Sequence, residues 1–301
     1  MISPSPIPVI LSSCTEPGSS PIFTRASGEL SARSFEAAGT SGKMAIVLQR
    51  ILLIAGLLLL WEGSTGGLGL GIQIFEPVIV GRPSLIAVDL LDYARSGLLA
   101  RDLKVTLAAA FLGLFFGGIG GVAVGLLFGY LRKIAAVLEP IMGALNSLPR
   151  ITVAPMLIMW FGLGLTSKVV LSLFTVFFVI FFNTFLGVRS VDPELVKAVK
   201  VMGGGPGQVA RMVVVPSVFS WIFAALRTSV SFALTGAVVG EFVGSSSGLG
   251  YRMLLAAGLL HTERVFAIML TLMTVGVSLV EISRRVEQYL LRWRPPQSQM
   301  S

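Results

Sequence analysis

The sequence predicts an all-α membrane protein of about six transmembrane helices, joined by one structured, charged loop. Composition and the placement of its charges predict this class. Of 301 residues, 54% are hydrophobic and 13% are charged, and the mean hydropathy is +0.87. A soluble domain carries about a quarter charged residues, so this chain has too little polar surface to cover itself in water. The net charge of +8 is spread in short clusters between apolar runs. That is the pattern of topology signals, not of a nucleic-acid-binding module. Cys14 is the lone cysteine, which excludes an internal disulfide framework and a cysteine-based metal cluster.

Residues 1–43 are rich in Ser, Pro, Gly and Ala without apolar periodicity, and are expected to be a disordered extension. They lack the ordered regions of a secretory signal. Met44 opens a membrane segment and is a candidate for the true start. Residues 44–294 form the expected transmembrane domain, with 295–301 as a tail. A bilayer core takes about 20 apolar residues as helix. The candidate spans are 45–62, 105–131, 136–162, 168–188, 217–243 and 265–290. Arg50 in the first can snorkel to the interface. Between the first two spans, Pro83 to Lys104 reads as an amphipathic interfacial helix.

Lys and Arg in the connections set orientation. Arg25, Arg33, Lys43, Arg50, Arg132, Lys133, Arg189, Lys197, Lys200, Arg211, Arg284, Arg285, Arg292 and Arg294 share one side. The other side holds Arg82, Arg95, Arg101, Lys104, Lys168, Arg252 and Arg264. The excess places both termini and the 189–216 segment in the cytoplasm. Within the second span, Gly113, Gly117, Gly121, Gly125 and Gly129 recur every fourth residue. They fall on one helical face, where a neighbouring helix can approach closely.

The segment from Val191 to Pro216, VDPELVKAVKVMGGGPGQVARMVVVP, interrupts the apolar pattern. Asp192-Pro193 caps and starts a helix. Gly203, Gly204 and Gly205 end it, and Pro206 opens a second short helix closed by Pro216. This segment resembles the cytoplasmic signature of binding-protein-dependent ABC importer permeases: Glu-Ala-Ala, three residues, Gly, nine residues, then Ile-x-Leu-Pro. In register, Lys197-Ala198-Val199 takes the triplet, Gly203 the glycine, and Val213-x-Val215-Pro216 the end. Lys197 stands where the family has Glu, and Val199 where it has the second Ala. ITVAPMLIMWFGLGLTSK (151–168), TVFFVIFFNTFLGVRSVDPEL (175–195), GEFVGSSSGLGY (240–251) and LLRWR (290–294) are similar to the nitrate, sulfonate, taurine and bicarbonate branch.

The resemblance implies a permease of the type I importer kind that pairs as a homodimer. Its cytoplasmic coupling loop would dock in a separate ABC ATPase through Glu194, Lys197, Ala198, Gly203, Gly204, Gly205, Pro206, Arg211 and Pro216. A periplasmic or lipid-anchored solute-binding protein would deliver a small anion, for import across a bacterial-type plasma membrane. ATP and Mg would belong to the partner, leaving this chain without cofactor, metal or catalytic residue. The nearest phosphate-loop match within it is Ala37-x4-Gly42-Lys43. There Met44 takes the Ser/Thr position and no strand precedes.

Polar groups inside a membrane default to functional candidates. Arg150, read as lying within the third span between Pro149 and Pro155, could pair bidentately with an anionic cargo. It could instead form an ion pair with Glu139 or Glu241. Asn183 and Glu241 are further candidates for the path, and Arg227 reads as structural. His261 is a lone histidine in a connection. A membrane-embedded enzyme would need a cluster of His, Asp or Glu that is missing here. An ion-coupled secondary transporter would want acidic coupling sites and no docking loop.

Overall fold

The structure, a computed structural model, describes residues 46, 48–66 and 77–290. The expectations for 1–43, including Cys14, the Ala37–Lys43 match and the Met44 start, lie outside these residues. So do those for Arg292, Arg294 and the 295–301 tail. The chain divides into two compact units, Met1–Leu60 and Trp61–Ser301. Helix α1 (48–64) begins in the first, where Leu52, Leu53, Leu57 and Leu60 are all exposed. A helix apolar on every side suits a lipid surrounding.

The second unit is helical through α2 (Pro77–Val80), α3 (Pro83–Arg95), α4 (Leu98–Tyr130), α5 (Arg132–Ser147), α6 (Arg150–Phe161) and α7 (Leu165–Arg189). It continues through α8 (Pro193–Val201), α9 (Pro206–Val209), a π turn (Ala210–Val214), α10 (Val215–Val243), α11 (Leu249–Gly258) and α12 (Thr262–Leu290). Among the described residues, four helical stretches are long and apolar enough to cross a membrane: Leu98–Tyr130, Leu165–Arg189, Pro206–Val243 and Thr262–Leu290. The bent pair α5–α6 makes a fifth if it counts as one span. The expected first span, 45–62, includes residues outside the description.

Helix α7 is the centre of the unit, with α4 along one side and α10 along another. The α4 glycines make the first contact possible. A Cβ at Gly117 would stand 2.7 Å from the Leu173 carbonyl oxygen, and one at Gly121 2.9 Å from that of Phe177. Gly113, Gly125 and Gly129 meet Ser172, Thr184 and Val188 of α7 in the same way. Gly236 and Gly240 do likewise on α10, within 2.7 and 3.0 Å of the Cα atoms of Ser172 and Lys168. Without side chains between them, backbones approach closely and gain dispersion contact. On α7, Phe177, Phe181 and Phe185 stack in series, with centroids 5.8 and 6.0 Å apart. Helix α12 leans on α10, α11 and α3.

Three sequence expectations are corrected. The span 136–162 is two helices bent by 93°. Leu148 is extended (φ −63°, ψ 129°) because Pro149 disfavours helical backbone in the residue before it. Arg150 therefore opens α6 at the bend instead of sitting in the middle of one continuous helix. The expected Pro83–Lys104 helix stops at Arg95, because Gly97 turns the chain left-handed (φ +73°), and Leu98–Lys104 begins α4. Pro216 does not close the second loop helix. The π turn at Ala210–Val214 shifts the hydrogen-bond register just ahead of the proline, so its missing N–H is accommodated and α9 runs on into α10.

Candidate functional site

Two polar constructions mark opposite ends of α7, whose 25 residues span about 37 Å. At its C-terminal end the loop folds as an elbow. Asp192 Oδ1 accepts the Glu194 N–H at 2.8 Å and Pro193 fills the first helical position, so α8 starts at once. Gly203 takes φ +82°, its N–H donates to Lys200 O at 3.0 Å, and the Gly204 N–H donates to Val199 O at 2.9 Å. These bonds satisfy the last carbonyls of α8 and reverse the chain. The Gly205 N–H donates to Gln208 Oε1 at 2.9 Å, and Pro206 opens α9.

The elbow is anchored from beneath by buried Val209, Val214 and Val218, with Val196, Val199, Val188 and Leu126 packed against them. Its outer face is unlike a solvent loop. Val201 is 88% exposed and Met202 87%, beside exposed Glu194, Lys197, Ala198, Gly203, Gly205, Pro206 and Arg211. Gly204 is half-buried, as is Pro216 below the face. Lys197 donates to Glu194 Oε1 at 3.0 Å, so the unexpected cation is paired within α8. Such an exposed pair contributes little stability. Gly205, Gly207, Gln208, Arg211 and Met212 line a hollow of about 670 Å3. A rigid bend presenting two bare apolar side chains is suited to seat in another protein.

At the N-terminal end of α7, charges are buried. Lys168 is 2% exposed; its ammonium donates to Ser247 O at 2.7 Å and stands 3.5 Å from Glu241 Oε1. The Thr106 hydroxyl lies 3.0 Å from both Glu241 oxygens, and Glu241 Oε2 accepts the Gly250 N–H at 2.8 Å. Thr106 accepts the Leu249 N–H at 2.9 Å. Asp102 accepts from the Gly248 N–H (3.2 Å), the Tyr93 hydroxyl (2.8 Å) and Arg252 Nε (2.9 Å). Gly248 has φ +112°, and a Cβ there would collide with the Glu241 carboxylate. Burial, and then the Asp102 carboxylate beside it, push the Tyr93 phenol above the ordinary tyrosine range. Five elements, α3, α4, α7, α10 and α11, are thus pinned to one turn, 244–248.

Glu241 therefore sits inside this clasp with its hydrogen-bonding capacity engaged. Asn183 is half-buried on α7 and donates to Val179 O at 2.8 Å. Arg150 reaches Asn146 at 3.5 Å and lies over the Phe232 ring at 5.4 Å. No hydrogen bond or ion pair among the described residues joins the three. The alternative ion pairs for Arg150 are not formed, because Glu139 pairs with Arg189 at 3.1 Å and Glu241 with Lys168. Arg227 pairs with Glu287 at 3.3 Å. No group of three or more His, Cys, Asp or Glu able to hold a metal is found among the described residues. Sequence reasoning missed Asp102, Thr106, Lys168 and Arg252. For Asp102, Lys168 and Arg252 the signal was a charge at the edge of an apolar run; Thr106 gave none.

Residues 113–290, which include the α4 glycines, the elbow and most of the clasp, match the model of the binding-protein-dependent transport system inner membrane component family. The chain belongs to that family. This permease is 33% identical over 237 residues to the riboflavin transport system permease protein RibX of Chloroflexus aurantiacus, covering 79% of this chain and 87% of that one. It is 31% identical over 247 residues to the putative aliphatic sulfonates transport permease protein SsuC of Bacillus subtilis, covering 82% and 88%. With the taurine transport system permease protein TauC of Escherichia coli it shares 25% identity over 227 residues, covering 74% and 82%. Its fold resembles that of a chain of the MetNI methionine ABC transporter in an inward-facing conformation, at TM-score 0.57 and 21% identity, covering 64% of this permease and 95% of that chain. The permease is thus a membrane-embedded transport subunit of an ABC importer, and its relatives are transport permeases, not enzymes.

Proposed function

We propose that this permease forms a homodimeric pathway that moves a small anionic solute of the sulfonate, taurine, nitrate or bicarbonate class into the cytoplasm. In this reading both termini and the elbow face the cytoplasm. A separate ABC ATPase receives the elbow, and a periplasmic or lipid-anchored solute-binding protein docks at the clasp end. One observation carries the coupling role: the capped, glycine-bent elbow that thrusts Val201 and Met202 outward from a buried valine anchor. Glu194, Lys197, Ala198, Gly203, Gly204, Gly205, Pro206 and Arg211 form its contact face and turn, and Pro216 marks its junction with α10.

The physical sequence is rigid-body switching. ATP draws two ATPase subunits together, their motion carries the seated elbows, and α8 transmits the displacement to α7 and α10. Helices that meet through glycine backbones can exchange one tight packing for another with few side chains in the way. Support for an anionic cargo comes from the guanidinium of Arg150 at the α5–α6 bend, and from relatives whose names specify aliphatic sulfonates and taurine. Relatives named for riboflavin and formylaminopyrimidine set the competing cargo classes.

Uptake of labelled ethanesulfonate, taurine and riboflavin by cells expressing the complete transporter tests the cargo. Ethanesulfonate or taurine should accumulate, and Arg150→Ala should lower uptake with normal assembly in the membrane. Accumulation of riboflavin alone would overturn the anionic reading, and unchanged uptake in Arg150→Ala would remove that residue from the path.

A further inference from the structure

Beside the clasp lies a cavity of about 300 Å3 that none of its bonds fills. One turn of α4 forms one wall with Lys104, Val105 and Ala108; the start of α7 forms another with Gly164, Leu165 and Lys168; Ser245, Ser246 and Ser247 close it. Two lysines line it and no acidic residue does. Glu241 approaches Lys168 but does not line the cavity, and its side chain is fully sealed from solvent. Lys168 uses donors on Ser247 O and Glu241, and an ammonium has three. Lys104 is exposed and has no ion pair among the described residues. The Ser246 hydroxyl is exposed and makes no hydrogen bond among them. Helix α7 begins without a side-chain cap, and Gly164 and Leu165 at its start line the cavity, so the positive end of its dipole lies beside it.

We propose that this cavity is a binding site for one oxyanion group, a sulfonate, sulfate or phosphate, held between Lys104, Ser246 and the first turn of α7, with Lys168 behind it. The volume is at the small end of ligand pockets, about 300–1,000 Å3, which suits a headgroup-sized anion. An oxyanion adds charge-assisted bonds to donors on residues that line one space, and it neutralises Lys104, which lacks a counter-charge among the described residues. Position at the bundle end admits two sources, a soluble oxyanion or an anionic lipid headgroup. The site stands whether or not the transported solute is an anion.

Acetylation of Lys104, followed by peptide mass spectrometry on the full chain in nanodiscs, reads the site directly. Ethanesulfonate or sulfate, in phosphatidylcholine discs at constant ionic strength, should slow Lys104 labelling by about threefold or more once it exceeds its Kd twofold. Lys133, exposed in the first turn of α5, should be unaffected. Protection only in phosphatidylglycerol discs without added anion would assign the headgroup as the source. Equal Lys104 rates in every condition, or equal slowing of Lys133, would overturn the proposal. Uptake assays do not enter this test, so its failure is separate from failure of the cargo reading.

Discussion

Lys168 and Glu241 meet 3.5 Å apart with both side chains sealed from solvent, and together they hold the turn that joins α10 to α11. One partner binds the Ser247 carbonyl, the other the Gly250 amide. A buried pair of this kind is held by its neighbours as much as by mutual attraction, since removing charges from water is costly.

Removing one partner leaves the other charge unpaired. Lys168→Met should lower stability by about 3–5 kcal/mol, read as a drop in Tm of the purified chain. Adding Glu241→Gln should recover part of that loss, because a neutral amide can still accept from Gly250 and Thr106. A double variant no more stable than Lys168→Met would refute the pairing.

The glycine seam predicts a sharp positional contrast. Gly117→Leu and Gly121→Leu drive side chains into α7 carbonyl oxygens 2.7 and 2.9 Å away, and overpacking of this kind costs about 1–3 kcal/mol or more. Gly118→Ala, one residue along, meets only Ile180 Cδ1 at 3.5 Å and should be tolerated. Thermal unfolding of the three variants side by side measures the difference.

The elbow makes a second contrast. Gly203→Ala meets nothing within 4 Å, so it suffers only the left-handed backbone strain of about 1–2 kcal/mol. Gly204→Ala would stand 2.7 Å from the Val199 carbonyl and pry the bend open. Reconstituted ATP-driven uptake should fall further in Gly204→Ala than in Gly203→Ala.

How much of this was legible in the sequence depended on whether local chemistry or distant contact fixed the feature. Asp192-Pro193 and Gly203–Gly205 act within a turn, so the start and stop of α8 could be read directly. The Gly113–Gly129 periodicity names a face, although α7 as its neighbour comes only from the fold; Gly236 and Gly240 are also four apart, but a single pair is too short a repeat to mark a face. Pro149 is visible in the sequence, but its effect falls on Leu148, which splits one expected span into two helices. Glu241 stands out in the sequence as an intramembrane acid, but its assembly with Asp102 and Lys168 does not, because the three are far apart in sequence and Lys168 alone resembles a topology charge. Pro216 misled because a π turn is a geometric remedy that leaves no residue signature.

Tyr93 supplies a pH test. Burial and Asp102 hold its phenol protonated beyond the ordinary range, so its contribution is complete below about pH 10, the unfolded value, and declines as pH rises beyond it. Tyr93→Phe removes one hydrogen bond, about 1 kcal/mol at neutral pH, while Arg252 and Gly248 still satisfy Asp102. The wild type should therefore lose more stability than the variant between about pH 10 and 12. Parallel denaturation curves across that range would contradict the assignment.

The most direct test of the whole account is solute accumulation in proteoliposomes containing the permease, its ATPase and its solute-binding protein, compared with vesicles holding a Val201→Glu/Met202→Glu permease. ATP-dependent accumulation is expected with the wild type, and should be absent without the ATPase. The double variant, altered only at two exposed side chains, should retain its fold and lose that accumulation. Uptake by the permease alone under an ion gradient, or ATP-driven uptake undiminished in the double variant, would contradict the coupling of this elbow to an ATPase.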